Sequence, residues 1–428
     1  MVPLTAPDYH PAANASMPGY DSRMSEHDVL IVGGGLVGSS LAIALESSGL
    51  DVALVEAAPP RVDLQPSYDE RNLALARATV NALSALGVWR RVRARATPIQ
   101  RIHVSRKGEF GAVRLAASAH GVDAFGAVLP ARELGNGLLA QLDACRSLKR
   151  YAPAKLMAIE SGADAMTARL ATNDGEASVR TRLLVGADGT PSLVRGALGI
   201  QTDNVDYAQT AFVCTVTPER APDGCAFERF TASGPVALLP LPDRRAGVVL
   251  TVPGADAPRV AALDDEEFIA LLQERFGYRL GRLARPGKRV SYPLVRVQAQ
   301  RLHAPRGVLV GNAAQTLHPI GAQGFNLGLR DALTLAELLV DTARTQSDPG
   351  AADLLRAYAE RRREDREGTA AMSDGLARWT AHEALPLKLL RSFGMLALDR
   401  IAPLQGDFVR RAMGFRGNVP RLALGDVR

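Results

Sequence analysis

The sequence predicts a two-lobed α/β fold: a doubly wound lobe on a parallel sheet, a mixed β-sheet lobe inserted into it, and a helical C-terminal region. Three observations predict it. The order apolar strand, glycine-rich loop, helix recurs at DVLIVGGGLVGSSLAIAL, LLVGADGTPSLVR and GVLVGNAAQTLHPIGAQGFNLGLRDA, and each recurrence returns the chain to one sheet covered on both faces. Between Val205 and Tyr292 the pattern is mostly strands. At 428 residues the chain is too long for a single hydrophobic core.

Residues 1–24, rich in Pro, Ala and Ser without periodicity, read as a loose extension, with Met24 a candidate start. DVLIV is the first strand, the helix after it stops at Gly49, and a second strand closes at Glu56. YDERNLALARATVNALSALGVW passes from an extended stretch into a helix that Gly87 ends. Alternation from Ile99 to Leu115 indicates antiparallel strands, and PARELGNGLLAQL a helix; AMTARLAT and ASVRTRLLV lead back to the first sheet. In the second lobe TAFVCTV, FERFTASGPVALLPL and AGVVLTV are strands and Asp265–Phe276 is a helix; the tail from Ala351 is helical. The chain thus divides into a nucleotide-binding lobe of residues 25–105, 130–200 and 286–345, an inserted lobe of 106–129 and 201–285, and a helical region of 346–428.

With 47% hydrophobic and 22% charged residues the composition is that of an ordinary globular protein. The net charge of +6 suits an anionic cofactor, an anionic membrane or nucleic acid equally, but the arginines are scattered rather than interleaved with aromatics, so no nucleic-acid partner is expected. Cys145, Cys214 and Cys225 form no CxxC pair and no His stands at metal-ligand spacing, so neither disulfide nor metal site is expected and a reducing, cytoplasmic setting is. No apolar run reaches the ~18 residues of a spanning helix, and no secretory signal is legible.

Gly33, Gly35 and Gly38 spell GxGxxG between a strand and a helix, where Leu36 and Val37 open the helix and its backbone donors face a pyrophosphate. Glu56, 23 positions past Gly33, ends the next strand as an acid that grips a ribose 2′-hydroxyl does. That fingerprint alone does not separate an NAD dehydrogenase from a flavoprotein. Asp188, in the GADG turn, is placed to bond a ribose or to cap a helix. After Gly311, Asn312 can bond a ribityl hydroxyl, and Gly321, Gly324 and Gly328 let the main chain approach a flat ring.

With these three motifs in order, the chain from Asp28 to Ala343 resembles the class A flavoprotein aromatic hydroxylases of the 4-hydroxybenzoate hydroxylase type. The spellings DERNLALA at Asp69 to Ala76 and GNAAQTLHPIGAQGFNLGLRD look like the ubiquinone-biosynthesis branch, most like the 2-polyprenyl-6-methoxyphenol hydroxylases. The resemblance implies a Rossmann-like FAD-binding domain, with Gly33, Gly35, Leu36, Val37 and Gly38 on the pyrophosphate, Glu56 on the adenosine ribose, and Arg71 on a phosphate or the flavin edge. Arg132 would reach the cofactor, and Asp188 would border both FAD and the groove for transient NAD(P)H. Gly311 and Asn312 would lie along the ribityl chain, where Asn312 departs from the family's usual Asp. Pro319 and the loop of Gly321, Gln323, Gly324, Phe325 and Asn326 would face the isoalloxazine, with no residue assigned as acid or base. NAD(P)H would reduce FAD, and O2 captured as a flavin C4a-hydroperoxide would hydroxylate a polyprenyl phenol in a dry pocket roofed by VALLPLP.

Blander readings stand beside these. Arg71 and Arg132 can be ion-pairing arginines, His318 before Pro319 a structural imidazole, and RRREDRE at Arg361 to Glu367 a solvated helix face with i,i+4 pairs. FGMLALDRIAPLQGDFVRRAMGF reads as an interfacial amphipathic helix on the inner face of the membrane, a core-packing helix, or an oligomer or biosynthetic-complex interface. A flavin-dependent reductase of a prenyl substrate, or a non-catalytic FAD-binding component, shares the motifs; oxygen dependence separates them.

Overall fold

The computed structural model describes residues 25–59, 71–379 and 385–425. The extension read at residues 1–24, with Met24, and Asp69 and Glu70 of DERNLALA lie outside them.

The chain opens with β1 (Ser25–Val32), α1 (Leu36–Leu45) and β2 (Val52–Val55). Val29, Leu30 and Ile31 are wholly buried, as a strand covered on both faces requires. β3 (Asn72–Ala76) leads into α2 (Arg77–Ala85), which ends before Gly87 at φ +72°. Then come α3 (Trp89–Val92), β4 (Thr97–Pro98), β5 (Arg101–Arg106), β6 (Ala112–Ala116), β7 (Gly126–Pro130), α4 (Ala131–Leu142), β8 (Lys149–Tyr151), β9 (Ala154–Ser161), β10 (Met166–Thr172), β11 (Gly175–Gly186) and α5 (Leu193–Ala197).

The inserted lobe carries β12 (Thr202–Pro218), β13 (Cys225–Phe230), β14 (Val236–Pro240), β15 (Ala246–Pro253), α6 (Ala257–Ala262), α7 (Asp265–Phe276), β16 (Leu283–Ala284) and β17 (Val290–Ala299). α7 occupies the predicted residues because Asp264 and Glu267 close a reciprocal capping box at its start. β18 (His303–Ala304), β19 (Gly307–Leu309), β20 (Gln315–Thr316), α8 (Gln323–Arg344), α9 (Ala352–Trp379), α10 (Leu385–Arg400), α11 (Ala402–Ala412) and α12 (Arg421–Leu424) complete the chain.

The first sheet runs β18-β19-β11-β1-β2-β8, with β19, β11, β1, β2 and β8 parallel. The second runs β20-β17-β12-β15-β14-β13-β5-β6, and β3, β7 and β4 form a small third sheet. Two expected boundaries move. Arg101–Arg106 pairs with Cys225–Phe230 in the second sheet, so the chain leaves the nucleotide-binding lobe before Arg101 rather than at residue 105. It returns after Ala299 rather than at 286, because β17 pairs with β12 along ten residues. Residues 126–129, expected in the inserted lobe, belong instead to β7, which pairs with Asn72–Ala76. Period-2 alternation marks a strand but carries no information about its partner.

One face of the second sheet packs Phe227, Leu238 and Val248 against Phe268, Leu272 and Phe276 of α7. The opposite face looks toward the nucleotide-binding lobe: a Cβ on Gly247 would lie 2.6 Å from Asn72 Nδ2 of β3.

RRREDRE is solvated only in part, at Arg363, Glu364 and Glu367. Arg362 and Asp365 are buried because α9 lies across α8, where Asp331 and Arg330 supply their partners, and buried Arg366 donates to Gln315 Oε1 at 2.8 Å and to the Ala299 carbonyl. The C-terminal segment is likewise two helices, broken at Ile401 with Pro403 in the first turn of α11. Its buried side, including Arg391, Ser392, Val409 and Met413, packs on the inserted lobe, and its other side is exposed.

Candidate FAD site at the carboxyl edge of the parallel sheet

Because β1, β2, β11 and β19 are parallel, the loops after them converge on one edge, where open α/β sheets bind their ligands. Gly33, Glu56, Asp188 and Gly311 all stand there. Gly33 has φ +107°, and a Cβ on it would sit 2.4 Å from the Ala187 carbonyl oxygen; one on Gly38 would sit 1.9 Å from the Gly33 carbonyl oxygen. No side chain fits at either position, and α1 starts hard against the sheet. Gly35 caps α1 without a side-chain hydrogen bond among the described residues, which leaves first-turn N–H groups for an anion. Glu56 accepts from the Gly34 N–H at 2.6 Å and the Ala58 N–H at 2.7 Å. Its carboxylate is thereby held at the strand end with lone pairs left for hydroxyls.

Leu36 is buried, and Val37 packs under the third loop: its methyls lie 3.1 Å from a Cβ built on Gly311 and 3.0 Å from one built on Gly328. Gly328 therefore serves the crossing of α8 over Gly311 and α1, not the approach of a flat ring. Gly321 and Gly324 differ, since a Cβ on either meets nothing within 4 Å among the described residues. Open space lies where a ring is expected.

Asp188 takes the capping geometry. It accepts from Ser192 Oγ at 2.5 Å and from the Val194 N–H at 3.1 Å, fixing the turn into α5. Gly311, at φ +61°, donates its N–H to Asp331 at 3.2 Å, and Asn312 is exposed on the turn beside it. Asp331 also accepts from Gln315 Nε2 at 2.6 Å and Arg362 Nε at 2.7 Å. Sequence reasoning passed over Asp331 and Arg362, although the mixed charges of α9 already carried the i,i+3 pair Arg362–Asp365. Burial would raise the Asp365 carboxyl, but Arg330 and Arg362 outweigh it and hold it below the usual carboxylate range.

At the start of α8, Gly321 at φ +71° and Ala322 at φ +51° are both left-handed, a conformation that turns the chain sharply into the helix. Ala322 offers no side-chain cap, so donors near Gly324 stay open. Gln323 is buried and bonds back to the Gly321 carbonyl at 3.0 Å, while Phe325 packs against the core of this lobe. The Asn326 side chain is engaged within the protein. Its amide donates to the carbonyls of Ala74 and Ala322 at 2.9 and 2.8 Å, and its oxygen accepts from the Ala76 N–H and Thr79 Oγ1 at 2.8 and 2.7 Å. With all four bonds used, it clamps β3 to the Pro319–Gln323 turn.

His318 is structural. Nε2 donates to Gln209 Oε1 at 3.1 Å, Nδ1 accepts from the Ile320 N–H at 3.3 Å, and Tyr207 stands edge-on to the ring at 4.9 Å. Burial pushes its pKa down to about 4, so the ring is neutral near pH 7. Arg71 lies 5.5 Å over the Tyr292 ring of β17, and its carbonyl accepts the Ala131 N–H at 2.8 Å, which brings Arg71 and Arg132 to one end of the small sheet. Arg132 is half exposed, 3.8 Å from Glu133.

The donor set fits a dinucleotide such as FAD: two helix starts without side-chain caps, a glycine cradle and an acid at the end of β2 with lone pairs left for hydroxyls. A family described as FAD binding domain matches residues 26–372. The chain is 39% identical to the ubiquinone hydroxylase UbiL of Rhodospirillum rubrum over 404 residues, 94% of this chain and 93% of that protein. It is 31% identical to the 3-demethoxyubiquinol 3-hydroxylase of Escherichia coli over 392 residues, 90% of this chain and 98% of that protein. Among solved structures, p-nitrophenol 4-monooxygenase PnpA of Pseudomonas putida superposes with a TM-score of 0.76 at 20% identity, covering 93% of this chain and all of that one, which speaks for the fold. The chain therefore belongs to the FAD-binding-domain family, in the class A flavin hydroxylase group that holds the ubiquinone hydroxylases, and is by that membership an FAD-dependent monooxygenase.

Proposed function

We propose that the protein hydroxylates a polyprenylated phenol in ubiquinone biosynthesis, using NAD(P)H and O2. The observation that supports this reading is a row of apolar residues, Val104, Ala237, Val249 and Val213, on the face of the second sheet whose Gly247 lies against Asn72 of β3. Bound FAD supplies hydride acceptance and oxygen activation. The chain's own residues do the rest. Gly33, Gly38 and Glu56 hold the dinucleotide; Gly311 and Asn312 lie along its middle; Gly321 and Gly324 leave room for the ring, and the open N–H groups of α8 face negative charge there. The sheet face excludes water.

A polyprenyl substrate reaches the enzyme from a bilayer. Among the described residues no helix is long and apolar enough to cross a membrane. Leu389, Leu390, Phe393, Leu396, Ile401 and Leu404 are nonetheless exposed together on α10 and α11, and Phe110 meets Phe393 edge-on at 5.5 Å. Arg400 and Arg410 are exposed in the same two-helix segment, each near an aspartate, Asp399 and Asp407, and such a mix of apolar and cationic groups suits an anionic bilayer surface.

The experiment is aerobic NAD(P)H and O2 consumption by FAD-loaded protein, with and without a short-chain 2-prenyl-6-methoxyphenol, with product mass analysis. Gain of one oxygen coupled to consumption supports the reading. Turnover of a prenyl substrate under anaerobic conditions, or FAD binding without any response to phenols, overturns it.

A further inference from the structure

The face of the second sheet that looks toward the nucleotide-binding lobe carries one carboxyl that no interaction explains. Glu228 of β13 stands between Val104 of β5 and Ala237 of β14, and the same row continues through Val249 and Val213. Apart from Glu228 the row is apolar. Among the described residues Glu228 makes no hydrogen bond or ion pair, and its side chain is half-buried. The other charges on this side of the sheet are spent elsewhere. Arg106 lies two positions beyond Val104 and donates to Glu109 at 2.7 Å, and Arg391 of α10 pairs with the same carboxylate. Arg71, just before β3, lies over Tyr292. A carboxyl partly withdrawn from water with no cation beside it has its charged form disfavoured, and groups perturbed in this way cluster at functional sites.

A second polar group faces the same space. Asn72 Nδ2 is buried without a hydrogen-bond partner among the described residues, and it lies over Gly247, where a Cβ would approach it to 2.6 Å. Gly247 and Val249 are same-face neighbours on β15, and Val249 pairs with Ala237, which pairs with Glu228. From strand geometry the Glu228 and Gly247 backbones are therefore about 10 Å apart across the sheet and about 7 Å apart along it. One substituted aromatic ring and two reaching side chains fill that span. Asn72 belongs to the strand that Asn326 clamps to the Pro319–Gln323 turn, so this pair of polar groups sits beside the flavin-facing loop.

Resting on the proposed function, we propose that Glu228 is the acid–base residue for the substrate phenol and that Asn72 holds the ring through its amide donor. The phenol O–H proton passes to the Glu228 carboxylate and the bonding pair stays on oxygen. The resulting phenolate is richer in electrons at its ortho and para carbons, where the oxygen drawn from O2 is received. The two electrons of NAD(P)H reduce the second oxygen atom of O2, which leaves as hydroxide and takes the ring C–H proton to become water; the ring regains its aromaticity, and the Glu228 proton returns to the phenolate oxygen. Burial raises the Glu228 carboxyl to about 7, which narrows its gap to a phenol's ordinary value of about 10 and makes it the better base for that proton.

The test uses FAD-loaded wild type, E228Q and E228D with a short-chain 2-prenyl-6-methoxyphenol between about pH 6 and 9, reading product formed per NAD(P)H consumed and, without NAD(P)H, the flavin difference spectrum that phenol binding induces. In wild type, hydroxylation should fall about tenfold per pH unit below about pH 7. E228Q should lose roughly 100-fold or more in kcat for hydroxylation and lose that acid limb, with KM, FAD content and the difference spectrum kept, and E228D should restore part of the rate. E228Q that hydroxylates within about threefold of wild type with an unchanged pH profile overturns the assignment alone. Wild type that binds FAD and hydroxylates no prenylphenol overturns the functional reading and this assignment with it.

Discussion

Arg362 of α9 donates from Nε to Asp331 of α8 at 2.7 Å with neither side chain exposed, and the other Asp331 oxygen accepts the Gly311 N–H. The pair links a helix crossing to the loop expected along the middle of FAD. Removing one partner strands a buried charge, so R362A should cost about 3–5 kcal/mol in denaturant unfolding of the FAD-loaded protein and weaken FAD binding. A loss below about 1 kcal/mol with unchanged flavin affinity would show that Gly311 is held by something else.

Two glycine substitutions should separate cradle from ligand. In G38A the new Cβ lies 1.9 Å from the Gly33 carbonyl oxygen, so α1 must shift and the purified protein should lack flavin absorbance. In G324A the Cβ meets nothing among the described residues, so apoprotein stability should change by less than about 1 kcal/mol, the scale of a helix propensity change. A fall in FAD affinity in G324A would then report contact with the ring itself, and unchanged affinity would place the ring elsewhere.

Asn326 is predicted to act through β3. N326A leaves the Ala76 N–H and the Ala74 carbonyl without their partner, at about 1–3 kcal/mol for each buried group. The Pro319–Gln323 turn should loosen from β3, and NAD(P)H oxidation should become less coupled to product. Wild-type coupling together with wild-type stability would contradict the clamp.

Two buried histidines set an acid limit. Burial lowers His318 and His103 to about 4, whereas an unfolded imidazole titrates near 6.5. The unfolded chain therefore binds more protons in that window, and stability is fully present above about pH 6.5 and lost as pH falls toward 4. His318 alone accounts for about 3 kcal/mol of that loss as an order of magnitude. Unfolding free energies measured from about pH 7 to 4.5 should show the slope, shallower in H318N; an equal slope in H318N would remove His318 from the account.

The exposed face of α10 should bind vesicles. Wild-type protein should sediment with phosphatidylglycerol-containing vesicles more than with phosphatidylcholine alone, and adding salt should weaken it. F393E, at a residue 59% exposed, should reduce binding without loss of fold. Equal sedimentation of F393E would move the contact to another surface.

The sequence by itself determined the recurring strand, glycine loop and helix of the nucleotide-binding lobe. Strand burial, helix stops and the steric demands of Gly33 and Gly38 are local, and local physics is written in adjacent residues. The same holds for the α7 cap, which needs only Asp264 and Glu267 three residues apart. The tertiary structure alone decided the rest. Alternation gave β5 as a strand but not its pairing with β13, more than a hundred residues away. Mixed charge gave α9 as a helix but hid that Arg362 and Asp365 face α8, since a salt-bridge pattern is the same whether water or protein surrounds it. Asn326 read as part of the loop against the ring, and only the fold showed that its side chain clamps that loop, because its four partners come from β3, α2 and its own turn. Glu228 carried no motif at all: a carboxyl acquires its chemistry from the apolar row around it, and that row is assembled from four strands that only the folded sheet sets side by side.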